Sequence, residues 1–381
     1  MPNDEIYVAL LGSVQSGKTA LIPSLERSAL YAHGLPHDVQ IQVKEDMSAF
    51  SADAASGNVA QADRPRKRKL AEARERAFRG IDFVQDPTLY EVVQYPMHVT
   101  ARRRTNVIER KVRIIDSGGG VMLPSETARR QQAREEYSQA GVESQRKAAL
   151  VNLLHKEVVG IVFCIDITQD DASKWESSFR ELVEDIVRRF EVGPGRPRRR
   201  IALTFTKTDQ LFMLDGMDAA KNALTRRTLL ERLNATFESG AKKMLRVWHE
   251  LERDEAKRIE IRCFPTSVFG YIDQNGCVNY SYSKDTWLIG DPELRQSLNM
   301  SAFSSTDPDN DVVTSTLFRY WRPMLTIDPF LYAVFGEDRS LGVPINSHYM
   351  FRLSELFGGD DTEADAGARQ RRKGGLFSWG S

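Results

Sequence analysis

Apolar residues in this chain fall into two rhythms. Short runs in which nearly every residue is apolar are separated by stretches in which apolar residues recur every three or four positions. Ile6 to Leu11, Val158 to Ile165 and Ile201 to Phe205 are such runs, the pattern of strands buried on both faces; Ile259 to Phe264, in which Glu260 and Arg262 stand between the apolar residues, reads as a further strand. Leu89 to Thr100 and Val107 to Ile115 read as two long strands joined by a polar stretch at Arg104-Thr105-Asn106, short enough for an antiparallel hairpin. Helical spacing predicts a first helix through Leu21, Leu25 and Ala29, with Pro23 early in it, stopping near Gly34-Leu35-Pro36. A second helix carries Trp175, Phe179, Leu182, Ile186 and Phe190 and ends at Gly193-Pro194. A long third one places Leu230, Leu233, Phe237, Met244, Trp248 and Leu251 on one stripe.

Strands alternating with helices, the strands apolar throughout, imply a parallel sheet covered on both faces. Gln40 to Arg79 reads as polar and helical, with a basic run at Arg64 to Lys69. Ser125 to Lys156 is charged and mostly helical. Beyond Gly270 the pattern weakens: Tyr271 to Val278 predicts a hairpin around Asn275-Gly276, and 297–311 reads as loop. Asp328 is placed to cap a last core helix, with Pro329 at its first position and Gly336 past its end. The tail from 358 to 381 is acidic, then basic, and reads as disordered.

Composition narrows this picture. Among 381 residues, 53 Lys and Arg balance 53 Asp and Glu, so the whole chain is not built to bind nucleic acid or an anionic membrane. Cys164, Cys263 and Cys277 lie far apart and read as buried thiols. The longest apolar run, Val158 to Ile167, is about half of what spans a bilayer. With no leader pattern before the first strand, a cytoplasmic setting is expected.

Directly after Leu11 the chain reads Gly12-Ser13-Val14-Gln15-Ser16-Gly17-Lys18-Thr19, G-x-x-x-x-G-K-[ST]. Gly12 and Gly17 permit a tight turn whose N–H groups face phosphate; Lys18 brings charge to the β/γ oxygens, and Thr19 offers a hydroxyl to Mg²⁺. Such a loop does not separate ATPases, kinases and GTPases. The ends of later strands do, because ligands of these sheets sit beyond the carboxyl ends of the strands. Asp116-Ser117-Gly118-Gly119 follows one strand as D-x-x-G, a carboxylate for Mg²⁺ and a glycine N–H for a γ-phosphate. Thr206-Lys207-Thr208-Asp209 follows another as [NT]-K-x-D. The Asp209 carboxylate accepts from guanine N1–H and 2-amino together, a donor pair adenine lacks, while the Lys207 stem lies along the base. Thr266-Ser267-Val268 follows the last strand, with backbone N–H groups for the guanine O6.

With these four motifs in this order, the sequence resembles the Ras-like GTPases of the translation-factor-related class from Ile6 to Gly270, plus the helix near Asp328–Phe335. The resemblance implies a three-layer α/β P-loop domain with a mostly parallel six-stranded sheet, one antiparallel strand at its edge, and a GTP/GDP switch. It implies one elaborated domain over 1–357, with an insertion at about 36–80 and an extension at about 271–326. It also assigns Thr88, in Asp86-Pro87-Thr88-Leu89, as the threonine that joins Thr19 and Asp116 on Mg²⁺ in the GTP state. Lys18, Thr88 and Gly119 become the catalytic set, and a protein effector the partner.

Two positions depart from the family. Gly120 stands where a glutamine orients the attacking water, and Val14 where glycine is usual. Slow turnover is expected, with Glu126, Arg129, Arg130, Gln131 and Gln132 as candidate replacements. The insertion and extension are similar to those of bacterial double-GTPase-type proteins. A GTP-binding scaffold that does not hydrolyse, and a P-loop ATPase, remain alternatives.

Overall fold

The computed structural model describes residues 5–13, 16–29, 39–45, 92–103, 105–117, 158–168, 183–186, 188, 199–237, 241–253, 259–273, 276–281, 286–287, 321–336 and 349–356. Their main feature is a sheet of β1 (Glu5–Gly12), β2 (Val39–Glu45), β3 (Val92–Arg103), β4 (Asn106–Ser117), β5 (Val158–Asp166), β6 (Arg199–Thr206) and β7 (Ile259–Pro265). The order is β2-β3-β4-β1-β5-β6-β7. β4, β1, β5, β6 and β7 run parallel, and β3 is antiparallel to both its neighbours.

The α/β class is therefore as expected, and the six-stranded sheet with an antiparallel edge is corrected on two counts. There are seven strands, and β3 lies one place in from the edge. The added strand is β2, inside the stretch expected to be helical. Val39, Ile41 and Val43 alternate there with Gln40, Gln42 and Lys44, the period of a strand with one face buried. Ile41 and Val43 are buried while Gln40 and Lys44 are exposed, and Val43 pairs with Val99. The rest of the insertion, 125–156 and the tail lie outside the described residues.

The continuous runs are apolar because both faces are covered. Val8, Ala9, Leu10 and Leu11 each have 0% exposure. Alternation sends Val8 and Leu10 to one core with α1 (Lys18–Ala29), and Ala9 and Leu11 to the other. Each large aliphatic side chain so buried contributes about 1.5–3 kcal/mol. Pro23 lies within α1, which continues through it with one backbone bond fewer.

A 3-10 segment (Thr208–Asp218) leads from β6 into α2 (Ala219–Ala223), then α3 (Arg226–Phe237) and α4 (Ala241–Arg253). The stripe expected on one long helix from Leu230 to Leu251 is carried by α3 and α4, with 238–240 outside the described residues. Gly216, with φ 56° and ψ −126°, marks a kink within the 3-10 segment. Leu229, Leu233 and Phe237 form the buried stripe of α3, with Leu230 only partly buried. Of the helix expected over Trp175–Phe190, the described part is a turn at 183–186 with Val183 and Ile186 buried.

β8 (Ser267–Ile272) pairs antiparallel with β11 (Trp321–Met324), and a small pair is formed by β9 (Tyr280–Ser281) and β10 (Thr286–Trp287). The hairpin after Tyr271 is present, bridged Tyr271 to Val278. The last core helix is α5 (Asp328–Phe335), which packs on the β1–β5–β6 side; a short α6 (Leu353–Leu356) follows. Ile327 holds its cap position and Asp328 its first turn, a shift of one residue from the expected cap. Its C-terminal end meets Arg200, whose guanidinium donates to the Ala333 carbonyl (3.2 Å). Among the described residues no helix is long and apolar enough to cross a membrane.

Candidate functional site

Parallel registers bring the expected motifs to one edge. Leu10 pairs with Asp116, Gly12 with Cys164, Asp166 with Thr206, and Phe205 with Pro265. The carboxyl ends of β4, β1, β5, β6 and β7 thus align, and the D-x-x-G, G-x-x-x-x-G-K-T, T-K-x-D and T-S-V segments leave the sheet side by side.

At the centre, Gly12 (φ 150°) and Gly17 (φ 79°) turn the chain from β1 into α1. A Cβ at Gly12 would lie 2.6 Å from the Cys164 carbonyl oxygen and 2.7 Å from Ser16 Oγ, so the loop crosses β5 with no room for a side chain. Ser16 Oγ donates to the Ser13 carbonyl (2.8 Å), and Lys18 Nζ donates to the same oxygen (2.7 Å). Lys18 is buried, which lowers its pKa; the charges of Asp116 and Cys164 act the other way. The buried ammonium is thus folded back onto its own loop and compensated by the Ser13 carbonyl and the charge of Asp116. Cys164 is inert beneath it, its thiol pushed up by burial. Val14 and Gln15 lie outside the described residues, as does the side chain of Thr19.

The T-K-x-D segment is bolted to this loop. Thr206 Oγ1 lies 2.7 Å from the Ser16 carbonyl and 3.2 Å from that of Ile165. Lys207 takes a left-handed backbone (φ 61°), and Gln210 N–H donates to its carbonyl (3.0 Å). Thr208 N–H donates to the Thr266 carbonyl (3.0 Å) and its hydroxyl to the Phe205 carbonyl (2.8 Å). Asp209 is fully buried. Burial, then the charges of Asp209 and Asp215, holds the Tyr271 phenol well above its usual range.

Ser267 and Val268, expected after the last strand, begin a further strand, β8, immediately after Thr266. Strand pairing wins here because β11 supplies a partner, Met324 opposite Ser267. Ser267 Oγ accepts from Gly270 N–H (2.9 Å), and the Val268 carbonyl accepts from the Trp321 indole (2.8 Å).

Asp116 is buried at the end of β4. Its charge acts on Lys18, and carboxylate oxygen is a hard donor of the kind Mg²⁺ takes one or two at a time alongside phosphate and water. Thr88, Gly119, Gly120 and the five candidates from Glu126 to Gln132 lie outside the described residues.

One residue carried no role in the sequence reading. Asp166 ends β5, and its Oδ2 meets Lys207 Nζ at 2.5 Å. A polar residue closing an otherwise apolar strand on the ligand edge was the available signal.

No known family model matches the chain. No curated protein matches it either. Solved structures with a likeness include the Arl6 BBS3 small GTPase from Trypanosoma brucei with a bound nucleotide analogue, at 12% identity and TM-score 0.29, covering 83% of this chain and 99% of that one. The S. cerevisiae Ski7 GTPase-like domain bound to GTP aligns at 11% identity and TM-score 0.31, over 69% of this chain and 43% of its own. Its GDP and inorganic phosphate form aligns at 12% and 0.31, over 78% and 49%. These likenesses are distant, and the functional reading rests on the strand-end geometry.

Proposed function

We propose that this chain binds GTP with Mg²⁺, hydrolyses it slowly to GDP, and presents the difference to a protein partner. The observation that carries the reading is the bond from Thr206 Oγ1 to the Ser16 carbonyl (2.7 Å), which joins a phosphate loop to a T-K-x-D segment on one sheet edge. In this reading Gly12 to Thr19 cradle the phosphates, and Lys18 leaves the Ser13 carbonyl for the β/γ oxygens. The Gly119 N–H approaches the γ-phosphate. Thr206 and Lys207 frame the base, Asp209 reads its N1–H and 2-amino edge, and Ser267 and Val268 lie by its O6. Mg²⁺, when bound, supplies charge neutralisation across the β- and γ-phosphates, and Thr19, Thr88 and Asp116 would hold it. Thr88 and Gly119 are the contacts that hydrolysis would release.

A second reading is favoured by Gly120, which brings no side chain to orient water: a GTP-holding scaffold without turnover. The test is to denature the purified protein, identify the released nucleotide, and follow phosphate release from added GTP. Guanine nucleotide with release over minutes to hours supports the switch. Intact GTP after that time selects the scaffold, and adenine nucleotide overturns both.

A further inference from the structure

Lys207 is held at both ends. Its backbone is fixed in the left-handed region, with Thr208 N–H bonded to the Thr266 carbonyl and Gln210 N–H to its own. Its ammonium sits on Asp166 Oδ2 at 2.5 Å. The acid is itself fixed: Oδ1 accepts from Thr168 N–H (2.9 Å) and from Thr168 Oγ1 (2.7 Å). The Asp166 side chain is 2% exposed and that of Lys207 30%. The buried group is thus the anchor, and the part open to a ligand is the lysine stem. Asp166 and Thr206 are paired across β5 and β6, so this anchor stands one residue from the segment that carries Asp209.

We propose that Asp166 is a positioning residue that locks the Lys207 stem into the flat strut on which a purine face rests. This rests on the GTP reading given above. A free lysine side chain populates many rotamers and must be ordered when a ligand packs on it; one tethered before binding has already lost that freedom. The carboxylate does not reach the base edge, so its contribution is the same for every purine that enters. Asp209, by contrast, sets which purine enters.

The test is a double-mutant cycle on the full chain, read by binding of fluorescent GDP and by competition with IDP, whose hypoxanthine lacks the 2-amino group. Asp166→Asn weakens both nucleotides by the same factor, about three- to tenfold, the cost of one freed side chain. Removing a negative charge near a polyphosphate would by itself tighten binding, so bulk charge does not account for a loss. Lys207→Ala weakens binding similarly, and Asp166→Asn adds nothing in that background. Thr168→Val, at an exposed position, removes one of the two donors on Asp166 Oδ1, keeps the backbone N–H, and so loosens the acid without touching the core. It weakens binding about two- to threefold in the parent and not at all in Lys207→Ala, which keeps the test open should Asp166→Asn not fold. Additive losses, or a changed ratio of GDP to IDP affinity, overturn the role of Asp166 alone. A parent that binds no guanine nucleotide sinks this role together with the GTP reading.

Discussion

Replacing Asp209 by Asn tests the base assignment at one atom pair. The carboxylate lies fully buried at the end of β6, where a hydrogen bond is not diluted by water. Guanine offers two donors to it. Asn keeps one acceptor oxygen and turns an NH₂ toward the second donor, so one charge-assisted bond is lost, about 1.5–3 kcal/mol. A buried donor is also left facing another donor, about 1–3 kcal/mol more. Together these weaken GTP by roughly a hundredfold or more. Xanthine carries a carbonyl in place of the 2-amino group and accepts from the new NH₂, so XTP affinity rises in the variant. Titrating parent and variant with fluorescent GTP and XTP analogues, with circular dichroism to confirm folding, reads both numbers. A GTP affinity within threefold of the parent, in a folded variant, refutes the reasoning and leaves Asp209 a structural residue.

Two further substitutions probe the frame around the site. Thr206→Val keeps the shape and removes the donor to the Ser16 and Ile165 carbonyls; it lowers stability by about 1–2 kcal/mol and weakens nucleotide in parallel, measured by urea unfolding and equilibrium binding. Glu252 has its pKa raised by burial, with Arg262 opposing. A carboxyl whose folded pKa lies above its unfolded value stabilises the fold when protonated and loses that contribution as pH rises through the folded value. Glu252→Gln therefore gains on the parent between pH 4 and 7 in thermal midpoint. A difference that shrinks with rising pH contradicts the sign.

Which parts of this were legible in the sequence follows from range. Val8 to Leu11, Ile161 to Ile165 and Ile201 to Phe205 announce buried strands because their neighbours on both faces are helices, a local consequence of packing. The hairpin of β3 and β4 was equally plain, its register closing Arg103 on Asn106. What local pattern does not carry is who lies next to whom. β2 alternates in a stretch otherwise polar, and its place beside β3 depends on pairing with residues over fifty positions away. That Ser267 and Val268 open a strand was not foreseen because their partner, β11, lies equally far along the chain. Lys18, Thr206 and Asp209 were found because their spacing is a local motif. Asp166 was passed over because its meaning depends on Lys207, forty-one residues on.

The same registers determine where a nucleotide-dependent movement would act. Thr206 ties the phosphate loop to the base segment, and Ser28 Oγ accepts from the Ile327 N–H (3.2 Å) while Ser24 Oγ donates to Thr326 Oγ1 (2.8 Å). α1 is thereby bound to the turn between β11 and α5, and β11 to β8. Buried polar bonds of this kind are costly to break singly, so phosphate loop, base segment and α1 form one tied frame. The other side of the site is built differently. Val92 pairs with Ser117 at one end of the β3–β4 hairpin. The first residue of β3 and the last of β4 therefore stand side by side. In the proposed switch, a γ-phosphate held by Thr88 and Gly119 would pull on one hairpin end, next to Asp116 and one strand away from Gly12.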